Sequence, residues 1–116
     1  SLELCQSLLS QFQFNQNTVV TDIDVINAVS NHFHIATDIL QGKKRNKIAV
    51  RSRQVAMFLL REETELSLAA IGKILGGRDH STVLHGHDRV ASLIDLNDPI
   101  VNDIGKIKRI LHDKNI

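Results

Sequence analysis

Apolar positions along the chain recur at spacings of three and four, and each run is bounded by a capping or turn residue. Leu2, Cys5, Leu8, Leu9 and Phe12 predict a short amphipathic helix over residues 2–13, ended by Asn15-Gln16-Asn17. Thr21, with Asp24 three residues on, forms a capping-box pattern, and the helix behind it carries a stripe of Ile23, Ile26, Val29 and Phe33. Ala36 to Leu40 reads as one more turn, with Thr37 or Asp38 near its start, followed by a loop from Gln41 to Lys47. Residues 48–63 predict the longest helix, and its centre, Val55 to Leu60, is apolar nearly all round, which requires burial on most sides.

Ser67 is positioned to cap a short helix ending at Leu75, and Gly76-Gly77 follows as a turn open to positive φ. Asp79 then caps a second helix. Its inward side is predicted to hold Val83, Leu84, His87, Val90, Ala91 and Ile94, leaving Ser81, Thr82, His85, Asp88 and Arg89 outward. Asp98-Pro99 opens the last helix, with Pro99 at its first position and Ile100, Ile104, Ile107 and Leu111 as the stripe. No strand pattern or internal repeat is present, so the expected fold is all-α, about six helices with a central helix-turn-helix.

The stretch Gly76 to His85 carries the chemistry. Helix, glycine turn and then a helix opening on small or hydrogen-bonding residues is the layout of a helix-turn-helix that reads DNA. In such a layout Asp79 is suited to a cytosine amino group, His80 to a base edge, and Ser81 and Thr82 to thymine.

A net charge of +1 disguises a segregated distribution. Seven basic residues (Lys43, Lys44, Arg45, Lys47, Arg51, Arg53, Arg61) lie between Ile39 and Arg61 with no acidic one, while the rest holds seven basic against thirteen acidic residues. A polyanion-binding face depends on that local field and not on the total. Lys43, Lys44, Lys47, Arg53, Gln54, Arg61, Ser67, Arg78 and His85 are therefore the expected phosphate contacts, with Arg61 alternatively pairing with Glu65 one helical turn away.

Other classes are disfavoured. No run of 18 apolar residues and no signal-peptide layout occurs, and the single Cys5 fits a reducing cytoplasm. With no Trp or Tyr, an aromatic platform for single strands is not expected. His80, His85 and His87 are close in sequence, but His85 and His87 diverge by about 200° on a helix and His80 and His85 are five apart, so no metal site is expected. His87, on the apolar side, reads as a core or boundary histidine with one satisfied nitrogen. Asp79 and His80 have no nucleophile arranged around them, and the phosphate-loop pattern is absent, so neither catalysis nor ATP binding is expected.

The run Gly76-Gly77-Arg78-Asp79-His80-Ser81-Thr82-Val83 resembles the signature of the C-terminal DNA-binding domain of the bacterial replication initiator DnaA. The resemblance extends to Lys43-Lys44-Arg45, Arg51 to Met57 and Ser67 to Gly72, and covers roughly residues 20 to 112. It implies a Trp-repressor-like helical arrangement, a nine-base-pair duplex origin box as target, and an Arg45 that enters the minor groove beside the recognition helix. It further implies a division into a connector, residues 1–19, leading from an ATPase domain, and a DNA-binding domain, residues 20–116. ATP and Mg would belong to that ATPase domain, through which the full-length protein oligomerises; the fragment itself would be monomeric, cytoplasmic and nucleoid-associated. A contact with acidic phospholipid near the connector is also implied. Two positions depart from the pattern: Ser52 stands where proline is frequent, which is expected to loosen the start of the long helix, and Ser81 stands where threonine is common. The alternatives are a helix-turn-helix repressor or transposon-associated protein, or a protein-interaction module using the stripe of residues 2–13.

Overall fold

A computed structural model describes residues 19–113. The expected helix over residues 2–13, and with it most of the connector, lies outside the described residues. Six α-helices and no strand make up the described part: α1 (Asp22–Phe33), α2 (Thr37–Leu40), α3 (Lys47–Glu63), α4 (Leu68–Ile74), α5 (His80–Asp95) and α6 (Ile100–Asp113).

Local sequence sets most of the helix starts. The Thr21 hydroxyl accepts from the Asp24 backbone N–H at 3.2 Å, and the Asp24 carboxylate accepts from the Thr21 N–H at 3.0 Å, completing the capping box. Ser67 Oγ accepts from Ala70 N and Asp79 Oδ1 from Thr82 N, so both helices of the helix-turn-helix carry side-chain caps. Asp98 caps α6 by accepting from Ile100 N at 2.9 Å, which puts Pro99 one residue ahead of the assigned helix and not inside it. Helix limits shift by a residue with small changes in hydrogen bonding, so the stop-start logic of Asp98-Pro99 survives the shift.

The 17-residue α3 is the central element and packs against α1, α2, α4 and α5. Val55, Ala56, Met57, Phe58, Leu59 and Leu60 are all buried, as a helix apolar on every side demands. Ile100, Ile104, Ile107 and Leu111 close the core from α6. Ser52 lies in the second turn of α3, fully buried, and donates to the Ala49 carbonyl at 3.1 Å. Its hydroxyl is satisfied inside the helix, so the loosening expected at this position has no structural counterpart.

Two stripes need correction. Ile23 is 65% exposed, and α1 turns Val25, Ile26, Ala28 and Val29 inward instead. Leu84 is 41% exposed and does not join the core that holds Val83 and Val90. In both cases the residue lies at the edge of the apolar arc, where a spacing rule cannot separate the inner flank from the outer one.

Candidate nucleic-acid interface

The turn between α4 and α5 is built on Gly72. Its carbonyl accepts from both Gly77 N and Arg78 N at 2.9 Å, and Gly76 and Gly77 follow at φ +83° and +81°. A Cβ at Gly72 would lie 1.9 Å from the Arg78 carbonyl oxygen, so only glycine lets the two helices close at this angle. Further along, a Cβ at Gly86 would lie 2.2 Å from Met57 Sδ, which marks how closely α5 crosses α3.

Two arginines then fix the basic loop, residues 41–46, to this turn. Arg53 is only 5% exposed. Its Nε donates to Leu40 O at 2.9 Å, Nη2 to Ile39 O at 2.8 Å and Nη1 to Lys44 O at 3.0 Å. The guanidinium thus caps the C-terminal carbonyls of α2, of which Ile39 O also accepts from Gly42 N at 3.2 Å, and holds the loop at the same time. Arg78 donates to Gly42 O at 2.6 Å and also to Leu75 O, and Gln41 Nε2 donates to Ile74 O at 2.8 Å. Arg53 and Arg78 were expected on phosphate; the structure gives both guanidinium groups backbone carbonyl partners, through which they also hold the loop. Arg51 is likewise occupied, pairing with Asp98 at 3.0 Å.

Between the loop, α3 and α5 lies an open concavity of about 490 Å³ lined by Arg45, Val50, Arg53, Gln54, Met57, Arg78, Thr82, His85, Gly86 and Arg89. Four arginines and a histidine line it, and no carboxylate does. Burial, and then the Arg78 charge, pushes the Arg53 guanidinium below its ordinary range; burial, and then Arg45, does the same to Arg78. Like charges held this close favour an anion at the mouth.

Of the expected site residues, Arg45, Arg53, Gln54, Arg78, Thr82 and His85 meet in this concavity. Lys43 and Lys44 are exposed on the loop, and exposed Lys47 begins α3 on the wall of a neighbouring groove. Asp79, His80 and Ser81 are exposed at the start of α5, outside the concavity. Arg61 and Ser67 are exposed but do not line it, and Arg61 forms no ion pair with Glu65 among the described residues. Arg89 is exposed, lines the concavity and was absent from the expected set. The signal was there: it follows His85 by four and Thr82 by seven, so the three share a helical face.

Thr82 holds the Asp79 carboxyl below its usual range, through its hydroxyl first and its backbone N–H second. A depressed carboxylate pKa gives a contribution to stability that is present above the unfolded value of about 3.9 and lost as pH falls through the folded value. The cap is therefore constant near neutral pH. His87 lies at the boundary, stacked on Phe58 at 5.0 Å, and both its ring nitrogens have partners where one was expected: Glu62 at 2.8 Å and Asp88 at 3.2 Å. No group of three or more metal-ligating side chains occurs among the described residues, and none of their helices is long and apolar enough to cross a membrane.

A helix-turn-helix whose second helix adjoins a basic, carboxylate-free concavity defines the class of nucleic-acid-binding domains. The sequence matches the family described as Bacterial dnaA protein helix-turn-helix over residues 23–90, and the chain belongs to that family. It is 41% identical to the chromosomal replication initiator protein DnaA of Herpetosiphon aurantiacus, over 83% of this chain and 20% of that one. The DnaA of Oenococcus oeni is 36% identical over 95% of this chain and 24% of its own length, and that of Treponema pallidum 37% over 97% and 25%. The chain thus spans a fifth to a quarter of the length of these relatives.

Proposed function

We propose that this domain binds duplex DNA sequence-specifically at nine-base-pair origin boxes and anchors a DnaA-type initiator there for chromosomal replication. The observation that carries this reading is the concavity of Arg45, Gln54, Thr82, His85 and Arg89 lying directly between the basic loop and the start of α5. With the N-terminus of α5 in the major groove and Arg45 in the adjacent minor groove, the phosphodiester strand that separates the two grooves runs through it. Asp79, His80 and Ser81 meet base edges. Thr82 anchors the Asp79 cap through its backbone N–H, and His85, Gln54 and Arg89 contact the phosphate. A single helix-turn-helix with its own minor-groove arm contacts a non-palindromic site as a monomer. Nucleotide hydrolysis and strand opening belong to the rest of the initiator and not to this part.

Salt titration tests the phosphate contacts. Lys43, Lys44, Lys47, Arg61 and Arg89 are the exposed cations of the loop, α3 and α5 left for phosphate once Arg51, Arg53 and Arg78 are withdrawn and Arg45 is given to the minor groove. Neutralising about five phosphates gives a slope of roughly −4 to −5 for log K against log salt. A slope near zero in fluorescence anisotropy would remove the polyanion reading altogether.

Three substitutions separate readout from anchoring. His80→Ala is expected to weaken box binding by about 1–3 kcal/mol and leave scrambled duplex nearly unchanged, because Asp79 still caps α5. An unfolded variant in circular dichroism would show His80 to be structural. Arg45→Ala should lose discrimination at an A·T-rich flank, where a narrow minor groove concentrates negative potential. Lys44→Ala should weaken all duplexes alike and flatten the salt slope by about one unit. Identical behaviour of the two variants would place Arg45 on phosphate only.

A further inference from the structure

Three contacts among the described residues join the basic loop to the turn of the helix-turn-helix, and two of them are reciprocal. The Gln41 side-chain Nε2 donates to Ile74 O at 2.8 Å, so the first residue of the loop caps the last residue of α4. From the other side, Arg78 Nη2 donates to Gly42 O at 2.6 Å. Between them the two backbones approach so closely that a Cβ at Gly76 would lie 2.3 Å from Gln41 O. Gly42 precedes Arg45 by three residues, and Arg78 directly precedes the Asp79 cap of α5. The tie therefore joins the root of the arginine arm to the start of the helix that faces the major groove. Gln41 itself lines neither the basic concavity nor the groove beside it.

We infer that Gln41 is a positioning residue that sets the distance between Arg45 and α5, so that the two grooves of the box are read at one fixed spacing. A free arm would have to be ordered when DNA binds, and it would accept an A·T-rich flank at several spacings. An arm already held in place avoids that ordering loss and accepts one spacing only. Within this tie the Gln41 amide is uncharged and stands apart from both hollows, so its removal alters placement and leaves the phosphate-attracting field as it was. The inference rests on the reading of Arg45 in the minor groove given above, and adds to it the residue that fixes its register.

The test uses wild type, Gln41→Ala, Arg45→Ala and the double variant. Each is titrated against the box with an A·T or a G·C flank, and against the same pair with one base pair inserted between the flank and the part facing α5. Loss of one tethering hydrogen bond should cut the A·T-over-G·C preference about three- to ten-fold and change affinity for the G·C-flanked box less than about two-fold. In the Arg45→Ala background, Gln41→Ala should have no further effect on that preference, as two residues acting through one contact are not additive. The insertion displaces the flank by about 3.4 Å, so wild type should lose its preference there, while the difference between spacings should narrow in Gln41→Ala. Gly76→Ala and Gly77→Ala check the same tie independently, since both residues have positive φ and only the first Cβ would meet the loop. Gly76→Ala should lose the flank preference and Gly77→Ala should keep it, with melting curves confirming that the variants are folded. A Gln41→Ala loss equal on A·T and G·C flanks, or one that persists in full beside Arg45→Ala, would overturn the inference, because a residue needed only for folding behaves in that way. Wild type indifferent to the flank would instead overturn the minor-groove reading itself, a failure visible before any Gln41 variant is made.

Discussion

Replacing Arg53 by alanine is expected to lower the melting temperature by roughly 15 °C, because its guanidinium ties the end of α2 and the basic loop to α3. Its three hydrogen bonds run to Ile39, Leu40 and Lys44 carbonyls from a nearly inaccessible guanidinium. Charge-assisted bonds of this kind contribute about 1.5–3 kcal/mol each and are not additive, so a net loss on the order of 3 kcal/mol is expected. In a domain of this size each kcal/mol moves the transition by about 4–8 °C. Arg53→Lys should recover little, since an ammonium cannot reproduce a planar fork aimed at three carbonyls. Differential scanning calorimetry checks both. If Arg53 were a phosphate contact only, both variants would melt like wild type and only the salt slope would change.

Gly72→Ala is the second large effect. The added Cβ meets a backbone oxygen at 1.9 Å, and a backbone atom has no rotamer by which to retreat. The Gly77 and Arg78 N–H bonds to the Gly72 carbonyl must open, and the angle between α4 and α5 changes with them. A cost on the order of 3 kcal/mol or more is expected, within the range for severe backbone strain, together with loss of box binding. Gly77→Ala provides the contrast: its φ is +81° but nothing lies within 4 Å of the new Cβ, so about 1 kcal/mol of conformational cost is all that should appear. Equal melting of the two variants would show that close approach does not set the turn.

The caps and the turn were legible because each depends on residues within four positions of one another: Thr21 with Asp24, Ser67, Asp79, and Gly76-Gly77 all act where the sequence places them. The apolar arcs were legible at their centres and failed at their edges, at Ile23 and Leu84. What the sequence hid was the use of charge. Arg45, Arg53 and Arg78 look alike in a basic segment beside a helix-turn-helix, and nothing local reveals that Arg53 turns inward to the end of α2 while Arg78 reaches back 36 residues to Gly42. Those are long-range decisions, made by carbonyls at the end of a four-residue helix and in the loop behind it. Arg89 was legible as to its helical face, which its spacing from Thr82 and His85 gives, but its place in the concavity depends on how α5 crosses α3 over Gly86.

Specific duplex recognition is tested most directly by titrating the domain against a duplex carrying the family's nine-base-pair box and against a scrambled duplex of the same length. At about 150 mM salt, where screening acts beyond roughly 8 Å, non-specific phosphate attraction is weak and base readout dominates the difference. The expected result is one domain bound per box, with an affinity at least about a thousand-fold above that for the scrambled duplex. Equal affinity for the two duplexes would contradict base readout by α5 and leave only a basic surface.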